Sequence, residues 1–141
     1  MPKKSHKIIV LDAWAVLAMI FKEEPAAGAV KDLFEKVGAE KPAMHISWIN
    51  LGEVFYNIAR KKDLESAHDV INDLLLLPIK THEPSKSDIL AAARLKSTQR
   101  LSYADAFAVA LAEKLKAAVC TGDPEILEIE DRFNVLRLSR K

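Results

Sequence analysis

Short β-branched runs alternate along this chain with longer stretches in which apolar residues recur at helical spacing. Residues 7–11 (KIIVL) predict a strand buried on both faces. Residues 13–21 suit a helix, and Pro25 at a first helical position opens another that runs to about Val37. Residues 43–46 (AMHI) form a weak second strand. From Trp48 to Lys61, Leu51, Phe55 and Ile58 recur at i, i+4 and i+7, the period of a helix. A further helix covers about Leu64–Leu77, with Leu74 to Leu77 as a core-facing end. Residues 78–82 (PIKTH) are a short strand, with Pro78 tolerated at its start. Ser85–Ser97 and Tyr103–Lys116 are strongly helical; Ala118–Thr121 is a strand, Pro124–Leu127 a helical turn and Asn134–Leu138 a last strand. This alternation predicts right-handed crossovers and a three-layer α/β/α sandwich around a mostly parallel sheet of four to five strands. No repeat, low-complexity stretch or Gly/Ser linker interrupts it, so residues 1–141 are expected to form a single domain.

That pattern places acids in particular spots. Asp12 ends the first strand directly before a helix, and Asp123 follows the strand ending at Thr121, again before a helix. Glu53 lies early in the helix after the weak second strand, and Asp105 in the first turn of the helix before the fourth strand. In an open parallel sheet the ligand crevice lies outside the carboxyl ends of the strands. Asp12, Glu53 and Asp123 therefore leave one edge, and Asp105 joins them if its helix starts there. Each acid also has a structural explanation: Asp12 as an N-cap, Asp123 as an N-cap with Pro124 at N1, Ser102 and Asp105 as a capping box, Glu53 as a solvated helix residue. Their joint placement in very apolar surroundings favours function. Carboxylates held together repel and raise one another's pKa unless a cation neutralises them, and oxygen donors without thiolates suit Mg²⁺ or Mn²⁺.

Composition removes several alternatives. Half of the residues are hydrophobic and 29% are charged, an ordinary globular balance. Lys and Arg total 21 against 20 Asp and Glu, which excludes a general polycation but not a local basic rim. Met1 to Lys7 is basic and residues 8–21 are mostly apolar, the order of a signal peptide. Asp12 interrupts that run, where a carboxylate at a membrane centre costs about 2.5–3.5 kcal/mol. Lys22-Glu23-Glu24-Pro25, rather than a small-residue cleavage site, follows it, and the run is too short to span a bilayer. It is expected to be folded structure without a membrane role. Cys120 has no partner in the chain, so a disulfide framework is impossible and a reducing, cytoplasmic setting is expected.

Four stretches, Ile8–Ala18 (IIVLDAWAVLA), Asn50–Arg60 (NLGEVFYNIAR), Leu101–Ala112 (LSYADAFAVALA) and Val119–Leu127 (VCTGDPEIL), together resemble the PIN-domain nucleases, above all the VapC-type toxins of prokaryotic toxin–antitoxin pairs. Asp12, Glu53 and Asp105 resemble the family's first three acids and Asp123 its more variable fourth. Thr121 stands where the family often has a Thr or Ser supporting the metal site, and Ser102 and Asn50 are weaker polar supports. One departure is visible: Trp14 occupies the position, two residues after the first acid, where many members carry Ser or Thr. The resemblance implies an endoribonuclease that uses Mg²⁺ or Mn²⁺ held by Asp12, Glu53, Asp105 and Asp123, and that leaves a 5′-phosphate and a 3′-hydroxyl. It also implies a homodimer and a protein antitoxin.

RNA needs counter-charge, and Arg60, Lys61, Lys62, Arg94, Lys96 and Arg100 are candidates for a rim, each with solvated helix ends as the competing explanation. His6, His45, His68 and His82 lack zinc-ligand spacing. Trp14 and Trp48 are expected to be core or subunit-contact anchors rather than platforms for bases. Two rivals remain. A phosphatase with an Asp nucleophile wants a second Asp where Trp14 stands, and a receiver domain wants an acidic pair near the first strand. A catalytically silent domain kept for protein interaction is disfavoured by the presence of all four acids.

Overall fold

The computed structural model describes residues 6–140. Five parallel strands, β1 (Ile8–Leu11), β2 (Ala43–Ser47), β3 (Ile79–His82), β4 (Ala118–Thr121) and β5 (Val135–Arg137), form one sheet in the order β3-β2-β1-β4-β5. The helices are α1 (Ala13–Ile20), α2 (Ala26–Glu35), α3 (Trp48–Lys61), α4 (Leu64–Leu75), α5 (Lys86–Thr98), α6 (Tyr103–Leu115) and α7 (Pro124–Leu127), with a 3₁₀ turn at Gly38–Glu40. The architecture is the expected α/β/α sandwich.

Alternation along the strands divides the core. Ile9 and Leu11 of β1, Met44 and Ile46 of β2 and Cys120 of β4 pack with α1 to α4, whereas Val10 and Val119 pack with α5, α6 and α7. Successive strand side chains point to opposite faces, so a strand apolar at every position requires helices on both. Helix α6 is an extreme case, because every residue from Asp105 to Ala112 is buried. Alanine recurs at 106, 108, 110 and 112, which lets α6 lie close against β1, α3 and α5. A helix apolar all round belongs in an interior, and one carboxylate at its start is then conspicuous.

Element ends depart from expectation at two places. Pro25 is the N-cap of α2 rather than its first residue, at the point where its backbone bridges to Arg140. At the end of α4 only Leu74 is buried, while Leu75 and Leu76 are 45% and 85% exposed and Leu77 packs against the core. Four successive residues span more than one turn of helix, so they cannot all face one side.

The chain runs outward from β1 to β2 and β3, then returns to place β4 and β5 on the other flank. The switch in direction between β1 and β4 opens a crevice at their carboxyl ends.

Candidate active site

Asp12 follows β1 at that crevice and is 1% exposed. It caps α1, one carboxylate oxygen accepting from Ala15 N–H at 2.9 Å, and the other oxygen accepts a short hydrogen bond from the Thr121 hydroxyl at the end of β4. The same Thr121 oxygen accepts from Asp123 N–H at 2.9 Å. One buried threonine thus locks the two strand ends together and sets both acids. Burial pushes the Asp12 carboxyl up to about 7 against the opposing pull of these hydrogen bonds, and the charges of Asp123 and Glu53 push it further in the same direction.

Asp123 caps α7, its carboxylate accepting from Glu125 N–H at 2.8 Å with Pro124 at the first helical position. Asp105 arrives from the other side of the crevice. Where α5 closes both halves of a capping box through Ser85 and Asp88, α6 closes one: Ser102 Oγ accepts from Asp105 N–H at 3.1 Å. The Asp105 side chain is left for the crevice. Burial first, then the charge of Asp123, raises its pKa well above the carboxylate range.

Asn50 explains why α6 starts at this edge. It is fully buried in α3 and donates to the carbonyl of Ala104 at 3.2 Å, tying the two helices together. The same amide donates a long bond of 3.4 Å to Glu53, which lies one turn further along α3. Glu53 is half-buried, and burial together with Asp123 raises its pKa. Burial is also the leading cause of the rise at Asp123.

The four sequence-predicted acids therefore converge, and Glu125 joins them. Carboxylate oxygens of Asp105, Asp123 and Glu125 lie within 4.8 Å of one another. Glu125 follows Asp123 by two residues in the first turn of α7, where no sequence pattern marks it. Every carboxyl of the predicted set is shifted toward its protonated form, by burial first and by neighbouring carboxylates in addition. The residues fit a hard divalent cation: the donors are carboxylate oxygens alone, and the Asn50 side-chain oxygen beside them is buried without a hydrogen-bond partner among the described residues.

The expected basic rim divides. Lys61 lines a cleft shared with Glu53 and Asp123, whereas Arg60 turns to the ring of Tyr56. Lys96 donates to the carbonyl of Leu101 at 3.0 Å and so fixes the approach to α6. Arg94 and Arg100 are exposed on α5 and the loop after it. Arg140, not anticipated, lines the cleft with Lys61. A second cleft of about 310 Å³ between α5 and α6, lined by His82, Phe107 and Lys114, contains none of the acids.

Residues 9–132 match the PIN domain family. Among solved structures, the chain is similar to VapC20 of Mycobacterium tuberculosis, described as a sarcin-ricin loop cleaving toxin, with a TM-score of 0.73, 17% identity, and coverage of 92% of this chain and 99% of that one. It is similar to VapBC2 of Rickettsia felis bound to a DNA fragment from its promoter, with a TM-score of 0.70, 14% identity and coverage of 94% and 99%. VapBC-1 of nontypeable Haemophilus influenzae gives a TM-score of 0.69, 15% identity and coverage of 92% and 97%. At these identities the likeness establishes the fold. Comparison with curated proteins by sequence finds no match.

Proposed function

The chain belongs to the PIN domain family, and on that premise we propose that it is a metal-dependent endoribonuclease, the toxin of a toxin–antitoxin pair. The observation that carries this reading is the convergence of Asp12, Glu53, Asp105 and Asp123 at the switch point of the sheet, all with carboxyls pushed toward neutrality. Acids that only capped helices would gain nothing from being crowded together.

Asp105, Asp123 and Glu125 would hold Mg²⁺ or Mn²⁺, with Asp12 and Glu53 completing the negative surround. When bound, such an ion offsets the repulsion among the acids, activates water and stabilises charge on a phosphodiester. The chain's own residues supply geometry. Thr121 holds Asp12 and Asp123 at a fixed separation, Ser102 and Asn50 hold the start of α6, and Asn50 steadies Glu53. Supporting contacts of this kind keep acidic ligands aligned before any ion arrives. Lys61 supplies counter-charge beside the acids, with Lys96 and Arg100 near the start of α6. The expected products carry a 5′-phosphate and a 3′-hydroxyl.

An antitoxin partner is supported by the VapBC complexes among the structural neighbours, and an RNA target by the described activity of the Mycobacterium toxin. A homodimer and a cytoplasmic setting belong to the same reading; the buried, unpaired Cys120 agrees with a reducing compartment. None of the described helices is long and apolar enough to cross a membrane.

The deciding experiment is cleavage of a pool of structured RNAs in Mg²⁺, Mn²⁺ or EDTA by wild type and Asp105→Asn. Cutting that requires metal and disappears in the variant is the expected result. Failure of both proteins to cut, with no Mn²⁺ binding by calorimetry, would return the acids to a capping role and favour a catalytically silent interaction domain.

A further inference from the structure

The cleft beside the acids has a volume of about 310 Å³, within the range of small-ligand pockets, and its walls have an unusual make-up. It is lined by Trp14 and Phe21 from the α1 segment, by the acids Glu53 and Asp123, and by the cations Lys61 and Arg140. The indole of Trp14 lies over Gly122, so closely that a Cβ there would come within 2.3 Å of the ring. Packing against Gly122 is the anchoring role expected of Trp14, and it fixes the ring next to Asp123.

That role leaves the cations unexplained. The Arg140 guanidinium sits 5.0 Å from the centre of the Trp14 ring and pairs with Glu23 at 2.9 Å. The Lys61 ammonium sits 4.3 Å from the centre of the Phe21 ring. Both share a cleft with Glu53 and Asp123, yet neither makes an ion pair with those acids. Flat apolar rings flanked by cations suit a ligand that is itself flat at one end and anionic at the other.

We propose that this cleft seats one nucleotide of single-stranded RNA next to the bond to be cut, its base against Trp14 and its phosphate between Lys61 and Arg140. The assignment rests on the ribonuclease reading of the adjoining acids. Arg140 is exposed, and its long side chain can leave the indole face to meet the phosphate. The indole replaces the small hydroxyl residue that many PIN-domain relatives carry two positions after the first acid.

The test uses Asp105→Asn, which blocks cutting on the same reading, combined with Trp48→Phe so that Trp14 is the one remaining tryptophan. A single-stranded RNA hexamer is titrated in Mg²⁺ and followed by Trp14 emission, and a labelled copy by anisotropy. Emission should change with the same midpoint as anisotropy. Trp14→Ala should weaken binding by about 5- to 150-fold, the worth of one base stacked on an aromatic, and Trp14→Phe should recover most of it. Lys61→Gln and Arg140→Gln should each reduce the slope of log affinity against log salt by about 1. If Trp14→Ala fails to fold, the emission change and the two cation variants decide alone. Binding with no change in Trp14 emission, or with unaltered affinity in Trp14→Ala, overturns the assignment while wild-type cleavage leaves the nuclease reading intact. A Trp14 response in a protein whose wild type cuts no RNA supports the nucleotide site and removes the nuclease reading. No binding by either signal overturns the assignment, and the nuclease reading then stands or falls on wild-type cleavage.

Discussion

The sheet carries two clusters of titratable side chains that meet burial differently. At β1 and β4, acids gather around Thr121 and their carboxyls are pushed upward, Asp12 to about 7. On β2 and β3, His45 and His82 stand with ring nitrogens 2.7 Å apart, and burial lowers the pKa of both. Both clusters are driven toward neutrality. The histidines complete the change between themselves, one neutral ring donating and the other accepting. The acids can shed their charge only by holding protons, and the carboxylate oxygens of Asp105, Asp123 and Glu125 lie within 4.8 Å of one another, an arrangement whose repulsion a bound cation would remove. A polar group that satisfies itself is structure; one that does so only with a guest is a site.

The contrast is sharpest at the reacting centre. Asp105→Asn should lower cleavage by about 10²–10³-fold or more, the scale of removing one preorganised charge-bearing group, while His82→Gln should leave it within about twofold. Initial rates on one RNA substrate measure both. Comparable losses from the two substitutions would erase the distinction.

Thr121→Val deletes the hydroxyl that joins Asp12 to Asp123 without touching an acid. Mn²⁺ affinity should fall about 10- to 100-fold, as expected for a group that orients ligands, and calorimetric titration reads it directly.

Thermal melting tests the guest itself. At a hundredfold excess over its Kd, Mn²⁺ should stabilise the wild type by about 2.7 kcal/mol, or roughly 10 °C for a chain of this size. The rise should persist in His82→Gln and largely vanish in Asp105→Asn combined with Asp123→Asn.

The smallest effect is one of sign. Metal-free, the folded chain keeps a proton on Asp12 that the unfolded chain releases above about 3.8, so this acid's contribution to stability falls as pH rises from about 4 to 7. For the histidines, folded pKa values lie below 6.5, so stability falls as pH drops beneath that value. Denaturant midpoints in EDTA should show both limbs. Asp12→Asn should flatten the limb at rising pH, and His82→Gln should reduce the acid one.

Much of this was legible in the sequence, for definite reasons. Helix α3 and strand β4 begin and end where expected, because apolar period and flanking residues agree at both ends. The acids were visible because they interrupt apolar runs. Asp105 needed the fold, since the bond from Asn50 to Ala104 that ties the start of α6 to α3 joins residues 54 apart in sequence. Glu125 was overlooked because it is exposed on a one-turn helix, where acids are ordinary. Arg140 was out of reach: its place over Trp14 comes from a backbone bridge to Pro25 that no local pattern encodes. Leu76 misled because four leucines in a row suggest a core whatever their phase.

The hydrogen bond between Thr121 and Asp12 joins residues 109 apart and completes the centre of the sheet. On a ribosome, a nascent chain that stops before β4 has already made Asp12, Glu53 and Asp105, but β1 has an open edge and the acids have no Asp123 to face. Such a fragment lacks both the Thr121 hydroxyl that fixes Asp12 and the Asp123 carboxylate that faces Asp105. Assembly of the acidic cluster is thereby tied to completion of the sheet, and no stretch of the chain that stops short of β4 can hold it.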